Sequence, residues 1–124
     1  MVNPLMQLAA THGKLMELIA QQMYPQDLEY IDRAFMVGML SLADVLMDEP
    51  LPKVVARLNL QEEIETALLY RIGDLGELLG LCGEIEAGDA VAVQGRLRTR
   101  PSLTAGSLNE AHLGALGWTN NIVM

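Results

Sequence analysis

The densest run of apolar residues along the chain is Arg33–Met47, RAFMVGMLSLADVLM. Its large apolar side chains point in every direction around a helix, whereas a surface helix carries a single apolar stripe. Arg33, Ser41 and Asp44 interrupt the run, so it falls short of the roughly 18 apolar residues of a membrane-spanning helix. The pattern therefore predicts a buried central helix in a small bundle.

Apolar positions at helical spacing predict further helices on both sides of this run. Helices are expected over 4–23, 27–48, 52–58, 62–73, 75–88, 89–97 and 104–122, which makes an all-α chain of six or seven helices without a sheet. A short polar side chain before a helical pattern predicts an N-cap. Such N-caps are expected at Asp27, Asn59, Asp74, Asp89 and Thr104.

The same spacing makes predictions about packing. Pairing the first two helices about their short turn places Glu17 opposite Arg33, which predicts a salt bridge. Asp44 lies among large apolar groups, so it is expected to accept hydrogen bonds or to lie at a helix–helix edge. Glycine weakens a helix by about 1 kcal/mol, so a row of glycines on one face predicts another helix crossing close to it. That row is Gly73, Gly76, Gly80 and Gly83.

Composition and charge narrow the classes of function. The chain has 124 residues, 51% hydrophobic and 19% charged, which suits one domain with apolar surface left over. A net charge of −8 argues against nucleic acid, which needs a positive field. The basic cluster Arg96, Arg98 and Arg100 is expected to be solvated charge after a helix. No apolar segment is long enough to predict a membrane span, and no signal peptide is predicted.

The residues predict no catalytic, metal or cofactor site. His12 and His112 lie outside any H-x-x-x-H or H-E-x-x-H pattern and are expected to be ordinary helix-face histidines. Cys82, the single cysteine, is expected to be a buried, inert thiol, and a reducing cytoplasmic setting fits it. The methionines of the central run are expected in the core, although methionine also suits an adaptable binding surface. They are Met36, Met39 and Met47.

Several stretches resemble the C-terminal half of an HDOD (HD-related output domain) module, most closely those of EAL–HDOD signalling proteins. Together they cover nearly the whole chain, and the central run is their most specific part. The stretches are LAATHGKLMELIA (8–20), AFMVGMLSLADVLM (34–47), PLPKVVARLNLQEEIETALL (50–69), LGELLGLCGEIEAGD (75–89) and SLNEAHLGALGWTNNIV (107–123).

The resemblance implies a helical regulatory domain that lacks the metal ligands of HD phosphohydrolases. Such a domain sits beside a cyclic di-GMP-type EAL domain or a response-regulator receiver, so we expect a non-catalytic protein-interaction module of bacterial signal transduction. Its partners would be proteins or neighbouring domains, and its motif residues would be structural or interaction residues. The alternatives are a divergent HD-type metal-dependent phosphohydrolase and a plain oligomerisation bundle. The motif residues are Glu17, Phe35, Gly38, Ser41 and Asp44.

The first half of the family module would precede this stretch, so we expect the chain to be a single helical domain, 1–124, that forms the C-terminal part of the module. An apolar face that the first half would cover is then left open. Open faces of this kind predict association, most simply a two-fold homodimer that buries on the order of 1,200–2,000 Å². The expected contact is the stripe of the first helix: Leu5, Leu8, Leu15 and Ile19.

Overall fold

The computed structural model describes residues 3–122 and contains eight helices within them. No strand occurs in this part of the chain, so the all-α class is confirmed. If α2 and α3 are counted as the single helix that was predicted, the number of helices agrees as well. Val123, the last residue of the HDOD-like tail, lies outside the described residues. The helices are α1 (Pro4–Met23), α2 (Leu28–Leu40), α3 (Ala43–Met47), α4 (Leu51–Leu58), α5 (Glu62–Tyr70), α6 (Gly73–Ala87), α7 (Ala90–Leu97) and α8 (Ala105–Ile122).

Three of the predicted N-caps are confirmed, because a side-chain oxygen accepts a backbone N–H of the first turn. Two are wrong: Asn59 ends α4 in the left-handed region at φ 51°, and Asp74 lies inside the first turn of α6. In both cases the polar side chain precedes a helical pattern but another residue occupies the cap position. The confirmed caps are Asp27 to Tyr30 at 3.1 Å, Asp89 to Ala92 at 3.1 Å and Thr104 to Ser107 at 3.0 Å.

The predicted central helix is broken. α2 ends at Leu40 and α3 begins at Ala43, with Ser41 and Leu42 between them. The Ser41 hydroxyl donates to the carbonyl oxygen of Gly38 at 2.7 Å, and Leu42 has φ −108° and ψ 11°. Hydroxyl bonds to the preceding turn compete with the helical ladder. No proline or glycine marks this break, so the apolar pattern alone predicted a continuous helix.

The central run is also not buried on every side. The inner face of α2 packs against α1, α5 and α6, but Met36 is 42% exposed, and Met47 in α3 is 53% exposed. The prediction of an all-round buried helix is therefore wrong for the outer face, because no helix within residues 3–122 covers it. The residues of α2 that are buried are Tyr30, Ile31, Ala34, Val37 and Gly38.

The core is centred on α1 and α6 instead. α1 packs against both α2 and α8, and α6 packs against α5 and α7. Leu15 and Ile19 of the predicted contact stripe are fully buried in the chain's own core, so only Leu5 and Leu8 of that stripe remain exposed. Among the helices within residues 3–122, none has both the length and the hydropathy to cross a bilayer. The largest fully buried side chains of α1 and α6 are Leu15, Met16, Ile19, Leu75, Leu78 and Leu81.

The glycine row of α6 does not mark a helix crossing. A Cβ at Gly83 would meet nothing within 4 Å, and Gly73 lies at the start of the helix with φ 82°. Gly76 abuts the backbone of Arg71, and a Cβ at Gly80 would lie 2.6 Å from an Arg96 side-chain nitrogen. The prediction of a close crossing helix is therefore wrong, because Gly76 makes room for the backbone of the preceding turn and Gly80 makes room for the Arg96 side chain.

Candidate functional site

Two helices approach closely at Gly38, a residue of the HDOD-like motif. A Cβ on Gly38 would lie 2.5 Å from the His12 carbonyl oxygen and 2.7 Å from the Gly13 Cα. Both neighbours are backbone atoms of α1, so they cannot move aside as a flexible side chain can. Gly38 therefore sets the distance between α1 and α2, and Phe35 and Ser41 of the motif lie beside this crossing.

A polar cluster surrounds the crossing and joins three helices. The Nε2 atom of His12 lies 2.8 Å from Oε2 of Glu86, and each of these side chains is only 18% exposed. On the other side of the ring, Nδ1 lies 3.4 Å from the hydroxyl of Ser41. The cluster thus ties α1 to α6 and to the break after α2. Sequence reasoning placed Ser41 in the motif but missed Glu86, because nothing in the local pattern pairs residues so far apart in the chain.

Phe35 and Glu17 form a second set of contacts on the same side of α1. The Phe35 ring packs edge-on against Trp118 of α8 at 6.2 Å between ring centres. Lys14 lies 5.2 Å from the centre of the Trp118 ring and bonds to Glu17 at 2.5 Å. Two of the motif residues therefore help to hold α1, α2 and α8 together.

The predicted salt bridge between Glu17 and Arg33 is wrong. Arg33 is directed toward α5, where its Nε lies 3.5 Å from Glu63, and its Nη1 lies 3.8 Å from Glu29. The helices are antiparallel neighbours as expected, but Arg33 lies on the side of α2 that contacts α5. Glu17 pairs within its own helix instead.

Asp44 lies in the first turn of α3 and is partly exposed. Within residues 3–122 its side chain makes no hydrogen bond; its carbonyl oxygen accepts the backbone N–H of Glu49 at 3.1 Å. The carboxylate is at the positive end of a short helix, where a negative charge is favourable. These contacts do not support a hydrogen-bonded carboxylate, and the alternative placement of Asp44 at a helix–helix edge stays a prediction.

We therefore expect Asp44→Ala to lower the free energy of unfolding by less than about 1 kcal/mol, the size of a helix-terminus charge effect. Urea melts of the wild type and the variant measure this difference. Asp44→Asn, which keeps the shape and removes the charge, is the matched control and should give the same small change. A loss of about 1–3 kcal/mol for Asp44→Ala would instead indicate a buried polar partner.

In the basic cluster at the end of α7, Arg98 is exposed, as predicted, whereas Arg96 and Arg100 form ion pairs. Arg100 bonds to Asp74 at 2.7 Å and to Glu77 at 2.8 Å, and Arg96 bonds to Glu84 at 2.6 Å. All three acidic residues are on α6, so the arginines fasten α7 and the segment after it to that helix. The sequence carries the matching charges, but only the turn at Gly88 brings them face to face.

The same network reaches the core through Tyr30. Its hydroxyl donates to Asp74 at 2.8 Å, and its ring packs edge-on against Tyr24 at 5.0 Å. Burial, together with the hydrogen bond and negative charge of Asp74, raises the pKa of Tyr30 well above its ordinary value of 10.0. The folded chain therefore keeps the Tyr30 proton at a pH where the unfolded chain releases it.

Replacing Tyr30 by Phe tests this contact. At pH 7 we expect a loss of about 1 kcal/mol from the missing hydrogen bond to Asp74. Because the folded pKa is raised, the wild type loses stability as the pH rises above the ordinary tyrosine value of 10.0. Tyr30→Phe removes this pH-dependent part of the stability. The difference in free energy of unfolding between the variant and the wild type should therefore narrow above this pH. Denaturant melts at neutral and alkaline pH measure both effects.

Tyr70→Phe is the matched control, because Tyr70 is exposed. It should leave the free energy of unfolding unchanged at neutral pH. At alkaline pH it should lose as much stability as the wild type does. A gap between Tyr30→Phe and the wild type that stays constant with pH would contradict the raised pKa.

The remaining candidate side chains are placed as helix-face or core residues. Cys82 is buried, as predicted, and burial with the nearby charge of Glu86 raises the pKa of its thiol. His112 is partly exposed on α8 and lines a hollow of about 230 Å³ that also contains Asp89 and Asn109. Across residues 3–122, no group of three or more His, Cys, Asp and Glu side chains is arranged to hold a metal ion.

A largely apolar groove opens along the outer face of α2. This α2 groove has a volume of about 370 Å³, and a second hollow of about 480 Å³ toward α5 shares Asp32 and Met36 with it. Sequence reasoning placed the methionines of this run in the core, and Met36 is instead at the surface. The lining residues of the α2 groove are Glu17, Asp32, Phe35, Met36, Met39 and Leu40.

A separate apolar patch lies where the start of α1 meets α8. Leu8 and Leu116 line a shallow hollow there together with Pro4, and all three side chains are exposed. Leu5, one turn away on α1, is exposed as well. We call these residues the α1–α8 patch: Leu5, Leu8 and Leu116.

Comparison with known proteins gives a partial relative. The chain is 36% identical over 63 residues to the cyclic di-GMP phosphodiesterase CdgJ of Vibrio cholerae. The match covers 51% of this chain but only 15% of CdgJ. No family model matches the chain, and no solved structure matches it. The chain is therefore a distant relative of one part of a cyclic di-GMP phosphodiesterase, and the HDOD resemblance stays a prediction.

Proposed function

We propose that this chain is a non-catalytic regulatory and protein-interaction module of bacterial signal transduction linked to cyclic di-GMP. The observation that supports this most is the match to a stretch that is only 15% of CdgJ, since most of that protein lies outside the shared part. Domains combine in this way with others in larger chains. On the HDOD resemblance, the neighbour would be an EAL or a receiver domain, and the setting would be the cytoplasm.

The arrangement of the polar groups also supports an interaction role. His12 contacts both Ser41 and Glu86, and these contacts cross-link helices. The exposed surface, in contrast, carries an apolar opening along α2 and exposed leucines at the α1–α8 patch. Apolar patches rimmed by polar groups mark protein-interaction sites.

The level of cyclic di-GMP in cells separates this role from its rivals. The chain is expressed in a bacterium that makes cyclic di-GMP, and the nucleotide is quantified with and without it. A regulatory module should shift the level, while the purified, dialysed chain should neither turn over cyclic dinucleotides nor retain a stoichiometric metal. Gly38→Val, which places a side chain against the backbone of α1 and should weaken the fold, is the control, because a shift caused by the folded domain should be smaller for this variant.

The other outcomes contradict the proposal. Turnover by the purified chain that is lost on changing His12 or His112 would identify a divergent HD-type phosphohydrolase. A folded chain that changes no level and turns nothing over would be a plain oligomerisation bundle.

We also propose that the chain pairs with itself through the α1–α8 patch, since Leu15 and Ile19 are committed to the core. Leu8→Glu should convert a dimer to a monomer, because it places a charge in an apolar contact. Light scattering at micromolar concentration measures the mass. Val91→Glu, at an exposed valine on α7, is the matched control and should leave the dimer intact. A wild type that is strictly monomeric and still melts cooperatively would show that the patch is not an interface.

A further inference from the structure

The α2 groove combines an apolar floor with an acidic rim. Met36, Met39, Phe35 and Leu40 form the floor, and the charged side chains that line the groove are Glu17 and Asp32. Met36 is 42% exposed, and Phe35, Met39 and Leu40 are half-buried beside it, with the Phe35 ring also against Trp118 of α8. On α2 the lining of the groove runs from Asp32 to Leu40, which is about 14 Å of helix.

The cations near the groove are already engaged. Lys14 bonds to Glu17 at 2.5 Å and lies over the Trp118 ring. Arg33 faces the neighbouring hollow, where Glu29 and Glu63 lie within 4 Å of it. Asp32 is exposed and forms no ion pair within the described part of the chain. The groove is therefore open to a positively charged ligand.

A second copy of this chain is a poor match for such a surface. The chain carries 16 acidic and 8 basic side chains, and Arg96 and Arg100 are held by the acidic face of α6. Placing two such chains against each other at the α2 groove would bring acid against acid. Like charges across an interface select against a partner.

We infer that the α2 groove binds an amphipathic helix whose apolar stripe is flanked by lysine or arginine, presented by a partner protein. This rests on the proposed interaction role and gives the chemistry of the partner. An apolar stripe would fill the floor between Met36 and Met39, whose flexible thioether chains adapt to different apolar shapes. A flanking cation would pair with Asp32, the exposed rim carboxylate that forms no ion pair within residues 3–122, since Glu17 is already paired with Lys14. Within residues 3–122 there is no strand edge onto which an extended peptide could add.

The probe is a labelled synthetic peptide of about 14 residues, roughly 21 Å as a helix. It carries leucine at helical spacing on one face and lysine on both flanks. A second peptide has the same leucines and glutamate in place of each lysine. Fluorescence anisotropy with the whole chain should give a Kd on the order of 10 μM for the lysine peptide. The glutamate peptide should bind at least about tenfold more weakly.

Variants of the chain locate the binding. Asp32→Lys and Met36→Gln should each weaken the lysine peptide by about tenfold or more. Raising the salt to about 0.5 M should weaken binding of the lysine peptide to the wild-type chain, because exposed charges are screened. Met47→Gln is the matched control: it removes a methionine that is 53% exposed on α3, outside the groove, and should leave the binding unchanged. Circular dichroism melts confirm that every variant is folded.

Several results would overturn the inference. They are equal binding of the two peptides, equal losses in Met36→Gln and Met47→Gln, and no binding of the lysine peptide at about 1 mM. Self-association that is abolished by Met36→Gln would make the groove an interface between copies of the chain instead. If the peptide fails while the chain still shifts the cellular level of cyclic di-GMP, the groove assignment is wrong and the regulatory role stands.

Discussion

Gly38→Val should lower the free energy of unfolding by roughly 2–4 kcal/mol, at the upper end of overpacking costs. Any Cβ at this position would lie 2.5 Å from the His12 carbonyl oxygen and 2.7 Å from the Gly13 Cα. These are backbone atoms, so relief requires α1 and α2 to move apart. That movement also loosens the bond between His12 and Glu86. Urea melts followed by circular dichroism measure the loss directly.

Gly83→Ala is the matched control for Gly38→Val. Gly83 is also within a helix, but a Cβ there would meet nothing within 4 Å. Because alanine is the better helix former, this variant should gain about 0.5–1 kcal/mol. A Gly38→Val chain as stable as the wild type would show that α1 and α2 can separate at this crossing without loss of stability.

Leu15→Ala should cost about 2–5 kcal/mol, because it removes a fully buried side chain from the middle of α1 and leaves a cavity. Its sequence pattern alone would also allow Leu15 to face a second chain. If Leu15 belongs to the chain's own core, the loss should not depend on protein concentration. Denaturant melts at two concentrations that differ by about tenfold make this distinction.

Leu113→Ala serves as the control for Leu15→Ala, since Leu113 is 61% exposed on α8. Its effect should stay within about 0.5 kcal/mol. A Leu15→Ala loss that disappears at high protein concentration would place Leu15 in an interface and would restore the whole predicted stripe as a contact.

Local signals predicted most of the helices. The ends of α1 follow from Pro4 and from the Tyr24–Pro25 step, and Asp27, Asp89 and Gly88 act as the caps that their residue types favour. Each of these signals depends on only a few neighbouring residues, so a single sequence is enough to find them. The break after Leu40 has no such signal, because a serine and a leucine produce it through a bond to the preceding turn.

Contacts between distant residues were predicted less well. Glu17 and Arg33 carry opposite charges on neighbouring helices, but the rotation of α2 about its axis directs Arg33 toward α5. The glycine row of α6 pointed to a crossing that occurs instead at Gly38, where a single glycine gave a weaker pattern. Helical periodicity states which residues share a face, and only the packing of several helices decides what each face contacts.

The candidate interaction surface was visible in the sequence only as an ambiguity. Met36 has the residue type of a core position and of an adaptable binding surface, and the apolar pattern favoured the core. Exposure of the outer face of α2 depends on how many helices pack around it, which the pattern of α2 does not contain. Asp32 gave no signal at all, because an exposed carboxylate on a helix is ordinary.

The buried thiol of Cys82 can report on local opening of the fold. It is the single thiol of the chain, it lies in the middle of α6, and burial raises its pKa. A thiol reagent can reach it only when α6 separates from the core, so the labelling rate in native buffer measures the free energy of that opening. If the free energy of opening is lower than that of global unfolding, α6 opens alone. If the two are equal, α6 opens only when the whole chain unfolds.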